Sequence, residues 1–251
     1  MTHTIENEGY RITIEERGAE LLSFKRLKDE KEYIWNGEET IWKWHAPVLF
    51  PQCGNFSNGY TYKGKTLHLP MHGFLRDVIH SYNGDGVFSF SFDGCDDYPF
   101  SFQAITYYIL TGNKLNHRIE ITNTGVDPVP YSLGFHTGLR LKSPLLTFER
   151  EEDEIGSKEF KCNDDTMKET KLYTSIKSRK VFAEDENGKK LSLSYSDFST
   201  LVLWSPQGHS DKLVCIEPRI DTVPEGAKEP FSRILSKNEK VMLEETIEVL
   251  N

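Results

Sequence analysis

At 251 residues, with 37% hydrophobic and 27% charged side chains, the chain is long enough to bury one sizeable core and too apolar for general disorder. A formal net charge of -9 leaves no basic footprint for a phosphate backbone, which excludes nucleic acid as the expected partner. The opening "MTHTIENEGYRI" has no signal-peptide pattern, no long apolar run follows, and Cys53, Cys95, Cys162 and Cys215 lack metal or redox spacing. The expectation is therefore one domain over 1–251, cytoplasmic, with reduced thiols, no metal and no membrane partner.

In chain order, turn residues and period-two patterning predict strands over 10–15 and 19–26, then a short helix over 38–45, "EETIWKWH". A strand over 59–68 leads into "LPMHGFLRD" (69–77), and another strand follows over 78–82. In "VFSFSFDG", Phe88, Phe90 and Phe92 share one face, while Ser89, Ser91 and Asp93 share the other. Gly112-Asn113 is a hairpin signal joining "ITYYILT" to "KLNHRIEIT", where Leu115, His117, Ile119 and Ile121 oppose Asn116, Arg118, Glu120 and Thr122.

Strands over 129–136 and 145–149 precede the charged, aperiodic segment 150–171, which reads as a solvated loop over the sheet. Asn187-Gly188 marks a further hairpin between "KVFAEDE" and "KKLSLSY", and strands over 201–204, 212–217 and 240–249 complete the chain. Many strands at short spacing, without alternating helices, predict an all-β fold: a large antiparallel β-sandwich with few short helices.

Three places stand out chemically. In "YSLGFHTGLR", Ser132, Gly134, His136 and Gly138 share a face, and two glycines flanking His136 predict that something approaches the backbone closely. In "KLVCIEPR", Val214 and Ile216 face one way and Leu213, Cys215 and Glu217 the other. A carboxylate ending an apolar strand either finds a cation or has its pKa raised, as a base working near neutrality requires. His72 precedes Gly73 at a turn, and Arg76 supplies donors for hydroxyls or an anionic group. No phosphate loop, nucleophile elbow or zinc-binding helix motif is present.

Together "RGAELLSFKRLKDEKEYIWNGEE" (17–39), "APVLFPQCGNFSNGYTYKGKTLHLPMHGFLRD" (46–77), "LGFHTGL" (133–139) and "VCIEP" (214–218) resemble the aldose 1-epimerase (galactose mutarotase-like) family, in its LacX-like branch. The resemblance implies a β-supersandwich with an open sugar cleft and no cofactor. It further implies that Glu217 is the base that takes the anomeric hydroxyl proton, that His136 is the acid that protonates the ring oxygen, and that His72 polarises the oxygen. An acidic limb from Glu217 and a basic limb from His136 would bound the pH profile.

Relative to many members, Asn55 stands for arginine, which removes a possible sugar-contacting cation, Thr137 for proline, and Arg219 for tryptophan, which adds a cation nearby; together with Arg76, Asn55 and Arg219 are the expected substrate-binding residues. The function implied is anomer interconversion of a small-molecule sugar. The alternatives are a non-catalytic carbohydrate-binding or regulatory protein and a hexose-6-phosphate 1-epimerase.

Overall fold

The computed structural model describes residues 1–55, 59–150, 153–196, 198–220 and 233–250. Its largest layer is a nine-stranded antiparallel sheet in the order Glu159–Lys161, Leu145–Phe148, Lys180–Glu184, Lys190–Tyr195, Lys240–Leu250, Lys114–Asn123, Phe102–Thr111, Val87–Phe92, Ser81–Tyr82. The alternation read from the sequence sets its faces: Leu115, His117, Ile119 and Ile121 are buried on one side of their strand, as are Leu243, Glu245, Ile247 and Val249 of its neighbour. Thr111 pairs with Lys114, so Gly112-Asn113 forms a two-residue hairpin turn, with Gly112 at φ +56°.

A second sheet orders Lys171–Tyr173, Thr200–Trp204, Val214–Ile220, Leu133–Phe135 and Val48–Leu49, with Thr137–Leu139 also paired to Val214–Ile220. Every residue from Val214 to Ile220 is buried. Val214 and Ile216 join the large apolar core, whereas Leu213 and Cys215 pack with Trp35 in a smaller cluster on the opposite side. The faces predicted for this strand are therefore correct.

A buried polar link ties the two sheets. Thr137 Oγ1 donates to Glu245 of the long terminal strand, 2.7 and 3.0 Å from its two carboxylate oxygens, and His117 Nδ1 lies 3.1 Å from Glu245 Oε1. All three residues are buried, where paired polar groups hold a fixed geometry.

Several expectations are corrected. The few short helices reduce, among the described residues, to one 3-10 turn at Leu75–Asp77. Residues 38–45 form no helix but a single turn, in which Ile41 N and Trp42 N both donate to Glu38 O. The tertiary structure overrides the local pattern there: Trp35 Nε1 donates to Trp42 O at 2.7 Å, and Glu20 takes the amides of His45 and Ala46.

The strand 59–68 is a hairpin, Tyr60–Tyr62 with Lys65–Leu67, turning on Lys63 and Gly64, both at positive φ. The segment 150–171 is more than a solvated loop, since Glu159–Lys161 extends the large sheet and Cys162 and Met167 are buried. Thr2–Glu6, whose composition is mostly polar, pairs with Tyr10–Glu15 as an unforeseen strand in a four-stranded sheet.

Candidate functional site

The site begins in the register of the second sheet. Gly134 pairs with Arg219 and Thr137 with Ile216, a register that brings His136 directly across from Glu217. The ladder breaks at His136, whose backbone N–H donates to Pro47 O at 3.0 Å. His136 Nε2 lies 3.5 Å from Glu217 Oε1. The alternation of the strand also turns Arg219 to the face of Glu217, and its guanidinium Nη2 donates to Glu217 Oε2. Glu217 Oε1 has no hydrogen-bond partner among the described residues.

The flanking glycines do admit a close approach, and the occupants are the protein's own side chains. A Cβ on Gly134 would stand 2.7 Å from Arg219 Cγ, and one on Gly138 would stand 2.7 Å from Trp42 Cζ3. Trp42 stacks on the His136 ring, with centroids 4.8 Å apart and planes at 27°, while Trp204 meets the same ring edge-on at 5.5 Å.

"LPMHGFLRD" is docked onto the chain segment 50–54. His72 N donates to Gly54 O at 2.8 Å, and Gly54 N donates back to His72 Nδ1 at 3.0 Å. With Nδ1 accepting, the proton of the neutral imidazole sits on Nε2. The ring stands edge-on to His136 at 5.5 Å. Gly73 lets the chain approach the backbone of Phe50, not a ligand: its φ is +72°, and an added Cβ would lie 2.1 Å from Phe50 O.

Arg76 places its guanidinium 4.6 Å from the centre of the Trp44 ring and donates from Nη2 to Met71 O at 2.7 Å. A cleft of about 540 Å³ is lined by His72, Arg76, His136, Glu217 and Arg219. Trp42, Trp44 and Trp204 also face it. Asn55 is exposed and is not among the lining residues.

Burial sets the charges. It pushes the Glu217 carboxyl up, against the opposing pull of the Arg219 guanidinium. It holds His136 well below the ordinary imidazole value, helped by His72, Arg219 and Arg76. The same causes, burial first and then Arg219 and Arg76, depress His72 to about 3. His136, Cys215 and Glu217 do bring nitrogen, sulfur and oxygen donors within 4.8 Å of one another. However, the guanidinium already occupies Glu217 Oε2, and burial drives the Cys215 thiol well above its usual value. The set is better suited to exchanging protons than to holding a cation.

Sequence reasoning missed the aromatic walls, although three of the chain's four tryptophans lie in them. Two tryptophans around one lysine in "IWKWH" were the available signal, because exposed apolar rings in a polar stretch seek a surface to cover. Glu20 was missed as well. Buried, it accepts from His45 N at 2.6 Å and Ala46 N at 3.0 Å and so hangs the tryptophan-bearing segment in place.

Glu20→Ala is expected to lower stability by about 1–3 kcal/mol, through two unpaired amides, and to weaken ligand binding in the cleft by loosening its tryptophan wall. Glu20→Gln, which keeps an acceptor, is expected to stay near wild type. Thermal melts and binding titrations check both, and equal losses in the two variants would refute the assigned role.

Comparison with known proteins gives a consistent picture. The family model for aldose 1-epimerase matches residues 1–191, a span that includes His72 and His136 and ends before Glu217 and Arg219. Protein LacX of Lactococcus lactis subsp. lactis, in plasmid and chromosomal forms, is 30% identical over 216 residues, covering 79% of this chain and 70% of LacX. A galactose mutarotase-like protein from Lactobacillus casei ATCC 334 matches at a TM-score of 0.89 and 25% identity, with 100% of both chains covered. A galactose mutarotase related enzyme from Lactobacillus acidophilus matches at 0.88 and 24% identity, covering 100% of this chain and 98% of that one.

Proposed function

We propose that this chain, which belongs to the aldose 1-epimerase family, interconverts the α and β anomers of an aldose in the cleft between Glu217 and His136. The observation that carries the reading is the unpaired Glu217 Oε1 facing His136 Nε2 at 3.5 Å inside a cleft walled by tryptophan.

Ring opening requires that one proton leave the anomeric hydroxyl and one arrive at the ring oxygen. Glu217 Oε1 takes the first, and His136 Nε2, protonated in the reactive form, delivers the second. The products of this step are the open-chain aldehyde, a neutral Glu217 and a neutral His136. Rotation about C1–C2 and the reverse transfers close the ring on the other face. His72 Nε2–H donates a hydrogen bond to a sugar oxygen and, held neutral, does not compete for the transferred proton. A tryptophan face covers the apolar side of the sugar.

The reactive form carries one proton on the Glu217–His136 pair, and that pair titrates as a unit. Burial opposes charge on both groups, so the limbs exchange their expected owners: the acidic limb reports a second proton arriving on His136, and the basic limb reports loss of the last proton, held mainly by Glu217. Carbon and nitrogen NMR titrations are expected to put Glu217 above 4.5 and His136 below 6.5. Titration of Glu217 below the first value and His136 above the second would restore the ordinary assignment.

The deciding experiment is anomeric exchange by NMR across free and phosphorylated aldoses. Exchange of none of them, with one still bound, would leave a binding module in place of an enzyme. A hexose 6-phosphate has one observation in its favour, because Arg76 lines the cleft with an Nε that makes no hydrogen bond among the described residues, its nearest carboxylate, Asp77 Oδ2, standing 3.8 Å away.

A further inference from the structure

Arg219 is expected from the sequence to contact substrate, but its surroundings assign it a different task. It sits two residues from Glu217 on the same face of a strand that is buried throughout. Its position directly across from Gly134 matters, because a side chain there would occupy the path the arginine takes. A Gly134 Cβ would lie 2.7 Å from Arg219 Cγ and 3.2 Å from its Cβ, so glycine leaves room for the side chain to lie back toward Glu217. Nη2 then engages Oε2, and Oε1 stays free to face His136.

We propose that Arg219 is the positioning residue of the base: its guanidinium fixes which carboxylate oxygen meets the sugar and biases the shared proton of the pair toward His136. This rests on the reading of the cleft as an anomerase site and adds to it the device that makes Glu217 the base.

The physical argument is a competition. Burial favours the neutral pair, with the proton on Glu217, which cannot begin ring opening in these roles because a protonated carboxyl is too weak a base for the hydroxyl proton and a neutral imidazole too weak an acid for the ring oxygen. A cation in hydrogen-bond contact with Oε2, away from solvent, stabilises the carboxylate and so the reactive ionic pair. The other charged or titratable groups around Glu217 and Arg219 do not supply this. His72 and Arg76 oppose charge on His136, and Cys215 and Cys53 are thiols that couple to Arg219; Arg219 also opposes charge on His136, but it bonds Glu217 directly, so its pull on the carboxylate is the stronger. Among the described residues, Arg219 is the cation hydrogen-bonded to the carboxylate. Recruiting it to a phosphate would break a buried pair and leave Glu217 without its counter-charge.

The test uses the full chain carrying Arg219→Met, Arg219→Lys or Gly134→Ala. Each is read by anomeric exchange on a neutral aldose and by NMR titration of the carbon-13-labelled Glu217 carboxyl. For Arg219→Met, kcat is expected to fall about tenfold or more, with KM within about threefold of wild type. The Glu217 midpoint is expected to rise by about one unit or more, which is about tenfold tighter proton binding. Arg219→Lys, which keeps the charge without the planar fork, is expected to recover part of both losses.

Gly134→Ala displaces the arginine without removing it and is expected to move both readouts the same way, which keeps the test decisive if Arg219→Met does not fold. An unshifted Glu217 titration in Arg219→Met, or in Gly134→Ala where the former does not fold, would overturn the proposal. So would a loss confined to KM for a 6-phosphate. Absence of exchange in the wild type for every sugar would sink the anomerase reading alone, because the carboxyl titration still reports whether Arg219 sets the state of Glu217.

Discussion

Glu217→Gln is expected to slow anomeric exchange by about 10²–10⁴-fold while sugar binding persists. The substitution conserves size in a position with no solvent exposure, so the cleft keeps its shape. The amide oxygen can still accept from Arg219, but neither amide atom can take a hydroxyl proton at neutral pH. His136→Asn removes the partner in the transfer and is expected to cost a similar factor. The two losses are expected to be far from additive, because each variant alone already breaks the proton exchange. Exchange spectroscopy on the sugar resonances measures the rate, and calorimetric titration measures binding. Unchanged exchange in both variants would remove Glu217 and His136 from the chemistry.

Gly73→Ala is expected to lower stability by about 3 kcal/mol or more and to displace His72, through two effects that act together. The residue has φ +72°, and a Cβ would stand 2.1 Å from Phe50 O and 2.4 Å from Phe50 C, which are backbone atoms with no rotamer to change. Phe50 O already accepts from the amides of Phe74 and Leu75, so moving it breaks the docking of the whole turn. Gly64→Ala is the control. Its φ is +80°, yet no described residue lies within 4 Å of the added Cβ, so it carries the conformational cost of about 1–2 kcal/mol alone. Denaturant unfolding distinguishes them, and equal losses would show that the close approach to Phe50 carries no weight.

The parts of the fold and site legible in the sequence were those written in local pattern. The period-two alternation of 114–122 and the two faces of 213–217 needed only the pleat of a strand, and both hold. Two glycines around His136 announced a close approach for the same local reason. Their occupants, Arg219 and Trp42, depend on the register between distant strands and on the path of a loop, which no short stretch encodes.

The helix expected at 38–45 failed because Glu20 and Trp35, outside the segment, claim its backbone groups. Glu217 was recognised as a costly carboxylate, but whether it would find a cation or a raised pKa was left as a choice. The structure holds both, one on each side of the same group.

The continuous burial of Val214–Ile220 has a consequence for timescale. A strand with hydrogen-bonded neighbours on both sides and no exposed residue opens only in the rarest fluctuations of the protein, so Glu217 and Arg219 ride on its slowest-exchanging amides. The roof of the cleft, Trp42 and Trp44, lies outside the ladders and is tethered by side-chain hydrogen bonds of Trp35 and Glu20, so its amides are expected to exchange faster. A visiting sugar is therefore expected to meet a floor already in register and a roof with room to settle around it.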